Sequence, residues 1–174
     1  IAESGATARA SLGAAASGAN SDISSLAGLL GSGTLARYSE ISFTPEIWDS
    51  SLSGSEGQTY GTQQGYATRI GERVFFNLII SITSLGTLTT TQGAIIGLPG
   101  VPGPAGTNHY AAVSVSRATS LNISAGQAVT AHLSNFNGIH LHLWDAATGT
   151  SELTIAELSA GASLVVAGNY RSSS

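Results

Sequence analysis

The chain has 174 residues and a mass of 17.5 kDa, which suits one domain with a short appendage. Only 9% of the residues are charged, all basic residues are arginines, and the net charge of −4 leaves no positive surface for nucleic acid or anionic membranes. Cysteine is absent, which excludes disulfides and thiolate chemistry, and no apolar run approaches the ~20 residues that span a bilayer. Because methionine is also absent, we expect a piece of a longer polypeptide.

Residues 1–33 are rich in alanine, glycine and serine and predict a connector with two short helices, 6–16 and 21–30. Asn20 or Ser21 can cap the second helix. Its apolar residues form a stripe too short to stabilise an isolated helix: Ile23, Leu26, Leu29 and Leu30. The stripe either packs against copies of itself or the next domain, or belongs to a partly ordered linker.

From residue 34 onward the apolar residues recur with period two, which predicts an all-β domain over 34–174. The second face of strand 73–83 carries Phe75 and Ile79, which favours a subunit interface there. The predicted strands are 36–43, 65–70, 73–83, 91–98, 109–117, 119–123, 127–134, 139–144, 152–156 and 163–170. The predicted core comprises Val74, Phe76, Leu78, Ile80, Ile82, Val113, Val115, Ile123, Val129, Leu133, Ile139, Leu141 and Leu143.

The segment 97–106 is dense in glycine and proline. Its two or three triplets are too few for a collagen triple helix, so we expect a surface loop.

Three histidines fall on one predicted hairpin. If Leu133 pairs with Ile139 across the loop 134–138, His132 lies opposite His140 and Thr130 opposite His142. Three imidazoles on one outward face predict a transition-metal site, and in a threefold assembly the His-x-His strand could supply six nitrogens. The alternative is solvent-facing or interface histidines that make ordinary hydrogen bonds.

Aromatic residues near turns, with amide and carboxylate neighbours, indicate sugar binding, because a ring stacks on the apolar face of a pyranose. The alternative for each ring is packing in the core or an interface. The candidate ligand-binding residues are Trp48, Asp49, Tyr60, Asn108, His109, Tyr110, Asn135, Asn137, Trp144 and Asp145.

Catalytic motifs do not appear: there is no Gly-x-Ser-x-Gly elbow, phosphate-binding glycine loop or His-Glu-x-x-His pattern. The carboxylates lie mostly around predicted loops and strand ends. We therefore expect no catalytic site and no required cofactor.

The runs 65–76 (GYATRIGERVFF) and 93–99 (GAIIGLP) resemble the G-x-Y-T-R-I-G-x-x-V-x-F and G-x-x-x-I-x-G-L-P motifs of bacteriophage tail fibres and tailspikes. Residues 8–13 and 16–26 resemble the connectors of such fibres, and 165–171 their final strand. The chain departs from the pattern in two places. The pair Ala67-Thr68 stands where Tyr-Thr is usual, and residues 100–102 replace a phenylalanine.

The resemblance implies an intertwined homotrimer with an antiparallel β-sandwich-like domain at the tip of a virion tail fibre. It implies a distal receptor-binding domain, of a phage or a phage-tail-like bacteriocin, that binds lipopolysaccharide or capsule. The alternatives are a C-terminal trimerisation and stability module of a polysaccharide-degrading tailspike, and an autonomous hydrolase.

Overall fold

A computed structural model of the chain describes residues 38–51, 55–106, 110–134 and 138–172. The predicted helical connector, residues 1–33, lies outside these ranges. Within them the chain is all-β, with one single-turn 3-10 helix, Ile155–Glu157. The strands are β1 Tyr38–Phe43, β2 Glu46–Asp49, β3 Thr59–Ile70, β4 Arg73–Ser84, β5 Ala94–Gly97, β6 Ala111–Thr119, β7 Ala128–Leu133, β8 Gly138–Asp145, β9 Gly149–Glu152 and β10 Ser163–Arg171. None of the described helices has the length and apolar character needed to cross a membrane.

All strand pairings are antiparallel and belong to one sheet in the order β1-β3-β4-β10-β6-β7-β8-β5-β2, with β9 added to β8. The two edge strands, β1 and β2, are joined by only Thr44 and Pro45. Side chains also connect β2 to the start of β3: the Ile47 amide donates to the Tyr60 hydroxyl (2.9 Å) and Gln58 Nε2 donates to the Ile47 carbonyl (2.7 Å). The sheet therefore curls until its edges meet, and a sandwich-like core forms from one continuous sheet.

The core lies on the inner face of this curled sheet. Strand β4 shows most clearly how alternation fills the core, because every second side chain points inward. These side chains are each at most 4% exposed: Val74, Phe76, Leu78, Ile80 and Ile82. Nine of the predicted core residues are buried; Val113, Val115, Ile123 and Val129 are partly buried against the same cluster.

The glycine- and proline-rich segment forms a loop after β5, as predicted. Val101 and Pro104 are buried, the Tyr170 hydroxyl donates to the Pro102 carbonyl, and the Ala105 amide donates to the Arg171 carbonyl (2.9 Å). These contacts hold the loop against the end of β10.

Two predicted strands are wrong. The predicted strand 119–123 does not form beyond Thr119, the last residue of β6, because Ser120 has a φ of 58° and turns the chain away from the ladder. In 152–156, β9 ends at Glu152 and the 3-10 helix begins at Ile155. Glu157 stabilises the start of this helix, because its carboxylate accepts hydrogen bonds from both the amide (2.7 Å) and the hydroxyl (2.9 Å) of Thr154.

Candidate functional site

The outer side of β7 and β8 carries a group of rings that we call the ring face: Tyr110, His132, His140, His142 and Trp144. Because Leu133, Leu141 and Leu143 alternate into the core, their neighbours on the same strands must point outward. Tyr110 precedes β6 and is 64% exposed, and Trp144 near the end of β8 is 46% exposed.

The predicted register of the histidine hairpin is confirmed. Leu133 pairs with Ile139, His132 with His140, and Thr130 with His142. The Ser134 amide donates to the Gly138 carbonyl (3.0 Å), which closes the hairpin at its loop.

The imidazoles stack on one another. The ring centroid of His132 lies 5.1 Å from that of His140, with the planes 8° apart, and 4.9 Å from that of His142, with the planes 26° apart. Tyr110 meets His132 edge-on, at 5.4 Å between centroids and 62° between planes. The four rings therefore form a packed cluster on the sheet surface.

This stacking does not match the metal site predicted at His132, His140 and His142 within one chain. Stacked imidazoles present their faces to each other, whereas metal ligation needs nitrogen lone pairs that converge on one point. Among the described residues, no group of three or more His, Cys, Asp or Glu is arranged to hold a metal ion. Ligation by the His-x-His strands of three chains stays a prediction.

Burial, together with repulsion from the neighbouring imidazoles, lowers the pKa of His132 below its ordinary 6.5. Burial and the charge of His142 also lower the pKa of His140, and this effect outweighs the attraction of Glu152. Glu152 lies on β9, directly opposite His142. Both imidazoles are therefore neutral at pH 7.

Trp48 extends the set of outward rings. Its ladder partner on β5 is Ile95, which in turn pairs with His140 on β8. Ile95 is 1% exposed although it lies on the outer side of the sheet. Trp48 Nε1 donates to Glu46 Oε2 (3.2 Å), so the indole edge is already hydrogen-bonded.

Two predicted ligand-binding residues, Asp49 and Tyr60, have partners within the fold. Asp49 is 0% exposed, and its carboxylate accepts from the Ser51 amide (2.9 Å), the Ser51 hydroxyl and the Thr89 amide (3.0 Å). Burial acts to raise the pKa of Asp49, but the hydrogen bonds from Ser51 and Thr89 outweigh it and hold the pKa below its ordinary value. Tyr60 packs against the core and its hydroxyl accepts from the Ile47 amide. Asp49 thus ties the end of β2 to the connection between β4 and β5, and Tyr60 ties β2 to β3.

The remaining candidates are placed differently. Asp145 follows Trp144 at the end of β8, where its Oδ1 accepts from the Ala147 amide (2.7 Å) and holds a turn. Asn108, His109, Asn135 and Asn137 lie outside the described residues.

A second outward surface lies on β3 and β4, and we call it the apolar face: Tyr66, Ile70, Phe75 and Ile79. Tyr66, Ile70 and Phe75 are each about half exposed. A depression of about 300 Å³ beside them is lined by Gln64, Tyr66, Asn77, Leu78, Ile79 and Val165. The predicted outward position of Phe75 and Ile79 is confirmed. Sequence reasoning did not add Tyr66 and Ile70 to this face, although both lie at period-two positions of β3.

The fold is similar to part of a solved structure. The crystal structure of the Dettilon tailspike protein (gp208) superimposes with a TM-score of 0.62 at 19% sequence identity. The likeness covers 76% of this chain and 23% of the tailspike chain. The chain is thus an all-β domain with a tailspike-like fold. No protein-family model and no curated protein sequence matches the chain.

Proposed function

We propose that the chain is the distal receptor-binding domain of a phage tail fibre, or of a phage-tail-like bacteriocin, and attaches it to bacterial surface polysaccharide. The observation that carries this proposal is the ring face. It offers exposed Tyr110, just before β6, and exposed Trp144 on the β7–β8 ladder, beside imidazoles that can bond hydroxyl groups. The tailspike-like fold and the resemblance of residues 65–76 to tail-fibre motifs support the same function.

A shallow polar site suffices for such a domain when it is repeated. Three identical sites on a homotrimer gain avidity on a repetitive polymer without any new contact. The proposed location is the tip of the virion tail fibre, where the domain acts outside the cell.

Adsorption tests this function. The chain, labelled with a fluorophore, is mixed with a panel of bacterial strains and with strains lacking capsule or O-antigen. We expect adsorption to some strains and its loss when the polysaccharide is removed. Absence of adsorption to every strain would contradict the proposal.

The apolar face favours a second candidate function, a C-terminal trimerisation and stability module of a polysaccharide-degrading tailspike. Three large apolar side chains that are each about half exposed on one sheet surface are typical of an interface. Phe75→Asp or Ile79→Asp places a charge there and should convert trimers to monomers or insoluble protein, as light scattering would show.

The matched control is Thr119→Asp, on an exposed position at the end of β6. Normal trimers in the Phe75→Asp variant would contradict the interface. Loss of trimers with intact adsorption per subunit would separate assembly from receptor binding.

A further inference from the structure

The ring face contains a shallow depression of about 260 Å³ between β7, β8 and β9. It is lined by Thr130, Ala131, His132, His142 and Thr150. This is smaller than the roughly 300–1,000 Å³ of sites that hold drug-sized ligands. The depression has room for a group of about the size of one sugar residue.

Two exposed aromatic rings flank the depression. Tyr110 packs edge-on against His132, which forms one wall. Trp144 is the ladder partner of Thr150, which forms another wall. Neither ring lines the depression, but each lies next to one of its walls, where a bound sugar or the next sugar along the polymer can stack on it.

The polar groups of the depression can form hydrogen bonds with the hydroxyl groups of a sugar. Thr130 and Thr150 are both exposed and carry hydroxyls, and a neutral imidazole has one donor and one acceptor nitrogen. Within the described part of the chain, Nε2 of His142 is buried beneath its neighbours and has no hydrogen-bond partner. A small turn of this ring toward a ligand would break no hydrogen bond at that nitrogen.

The charges around the depression do not suit an acidic ligand. Glu152 faces His142 from β9, His140 lies two residues before His142 on β8, and no arginine of the described ranges lines the depression. The groups packed against the histidines from β5 and β6 are Ile95 and Ala112, which carry no charge. A bound carboxylate would find no fixed positive partner and would meet Glu152.

We infer that this depression is the subsite for one uncharged sugar residue of the polysaccharide, bound by imidazole and threonine hydroxyl groups, with Tyr110 and Trp144 beside it. The inference rests on the proposed function and names its substrate class. Burial and the neighbouring imidazoles lower the pKa of His132, which lines the depression, and this supports the inference because it favours the uncharged ring near pH 7.

The first test uses polysaccharide purified from an adsorbing strain and immobilised for interferometry. Tyr110→Ala and Trp144→Ala should each weaken binding about tenfold, since each removes one stacking surface. The matched control is Tyr38→Ala, an exposed tyrosine on edge strand β1, which should bind within twofold of the wild type. Thermal unfolding checks that the exposed substitutions leave the fold intact.

The second test distinguishes uncharged from acidic sugars. An imidazole that accepts a hydrogen bond competes with protons, so affinity should fall by up to about tenfold per pH unit below the imidazole pKa. Affinity should stay the same between 50 and 500 mM salt, as roughly expected for an uncharged ligand. Tighter binding at pH 5 with weakening in salt would indicate an acidic sugar and overturn the inference.

The outcomes separate the inference from the proposed function. Wild-type adsorption with unchanged binding by both ring variants would overturn the subsite while receptor binding stands. Failure of the wild type to adsorb to any strain would overturn the proposed function and the subsite together.

Discussion

His132 lies directly opposite His140 across the β7–β8 ladder, and the two imidazole planes are 8° apart at 5.1 Å between centroids. Such a pair stacks well only while it carries no more than one positive charge, because two imidazolium rings at this separation repel. The hairpin is therefore sensitive to acid.

The stability of the domain should fall as the pH drops through 6.5. The pKa values of His132 and His140 are lowered in the folded chain, so the unfolded chain takes up these protons first. The contribution of the two histidines to the free energy of unfolding is complete above pH 6.5. It is lost as the pH falls toward the pKa values of the folded chain. Urea unfolding at pH 8, 7, 6 and 5.5 measures the free energy of unfolding across this range.

The control for this prediction is the double variant His132→Gln, His140→Gln, which should unfold at nearly the same urea concentration over that range. An equally steep pH dependence in the double variant would assign the effect to other groups.

Asp49→Ala should destabilise the domain without acting through a ligand. The substitution leaves the Ser51 and Thr89 amides without their acceptor, and we expect the free energy of unfolding to fall by about 1–3 kcal/mol. Asp145→Ala is the matched control, because Asp145 holds an exposed turn, and it should cost about 0.5–1 kcal/mol. Chemical denaturation measures both. Weaker polysaccharide binding by Asp49→Ala at unchanged stability would instead support the predicted ligand-binding role of Asp49.

Period two was sufficient to predict β4 and β8 and the faces of their side chains, whereas only residues 65–70 of β3 were predicted. β4 and β8 have an apolar residue at every second position, and the five-residue loop 134–138 left one register that buries Leu133 and Ile139 together. That register alone placed His132 opposite His140. The stacking of the rings could not be predicted, because it depends on side-chain rotamers rather than on register.

Short strands were not predictable in the same way. β2 has only four residues after Pro45 and pairs with β5, which is 45 positions or more distant in sequence. Had it been recognised, the alternation would have separated outward Trp48 from inward Asp49. The sequence Thr154-Ile-Ala-Glu157 carries a capping-box pattern that predicts a helical turn, and strand periodicity obscured it.

Gly65→Ala should destabilise the domain, because the aromatic ring of Phe43 covers this glycine. The two residues are ladder partners on β1 and β3, and a Cβ at position 65 would lie 2.4 Å from Cε2 and Cζ of Phe43. Phe43 is buried and has little room to move, so we expect a loss of about 1–3 kcal/mol from overpacking.

Gly103→Ala is the control for that prediction, since no atom of the described residues, apart from its own chain neighbours, lies within 4 Å of a Cβ there. It should change the free energy of unfolding by at most about 0.5 kcal/mol. Equal effects of the two substitutions on the urea midpoint would mean that the Phe43 ring gives way.

Tyr170→Phe should release the glycine- and proline-rich loop from the end of β10 while the core stays packed. Tyr170 is 1% exposed and its ring contacts Phe76 at 6.2 Å between centroids, so phenylalanine fills the same space. Only the hydrogen bond to the Pro102 carbonyl is lost, at a cost of about 0.5–1.5 kcal/mol. Because burial also raises the pKa of the Tyr170 hydroxyl, the bond should persist at alkaline pH.

Hydrogen exchange localises this effect. The Ala105 amide, which donates to the Arg171 carbonyl, should exchange faster in the Tyr170→Phe variant, whereas amides in the middle of β4 should keep their protection. Tyr38→Phe removes an exposed hydroxyl that donates to Glu40 (2.5 Å) and should leave Ala105 unchanged. Unchanged exchange at Ala105 in the Tyr170→Phe variant would show that Val101 and Pro104 hold the loop by burial alone.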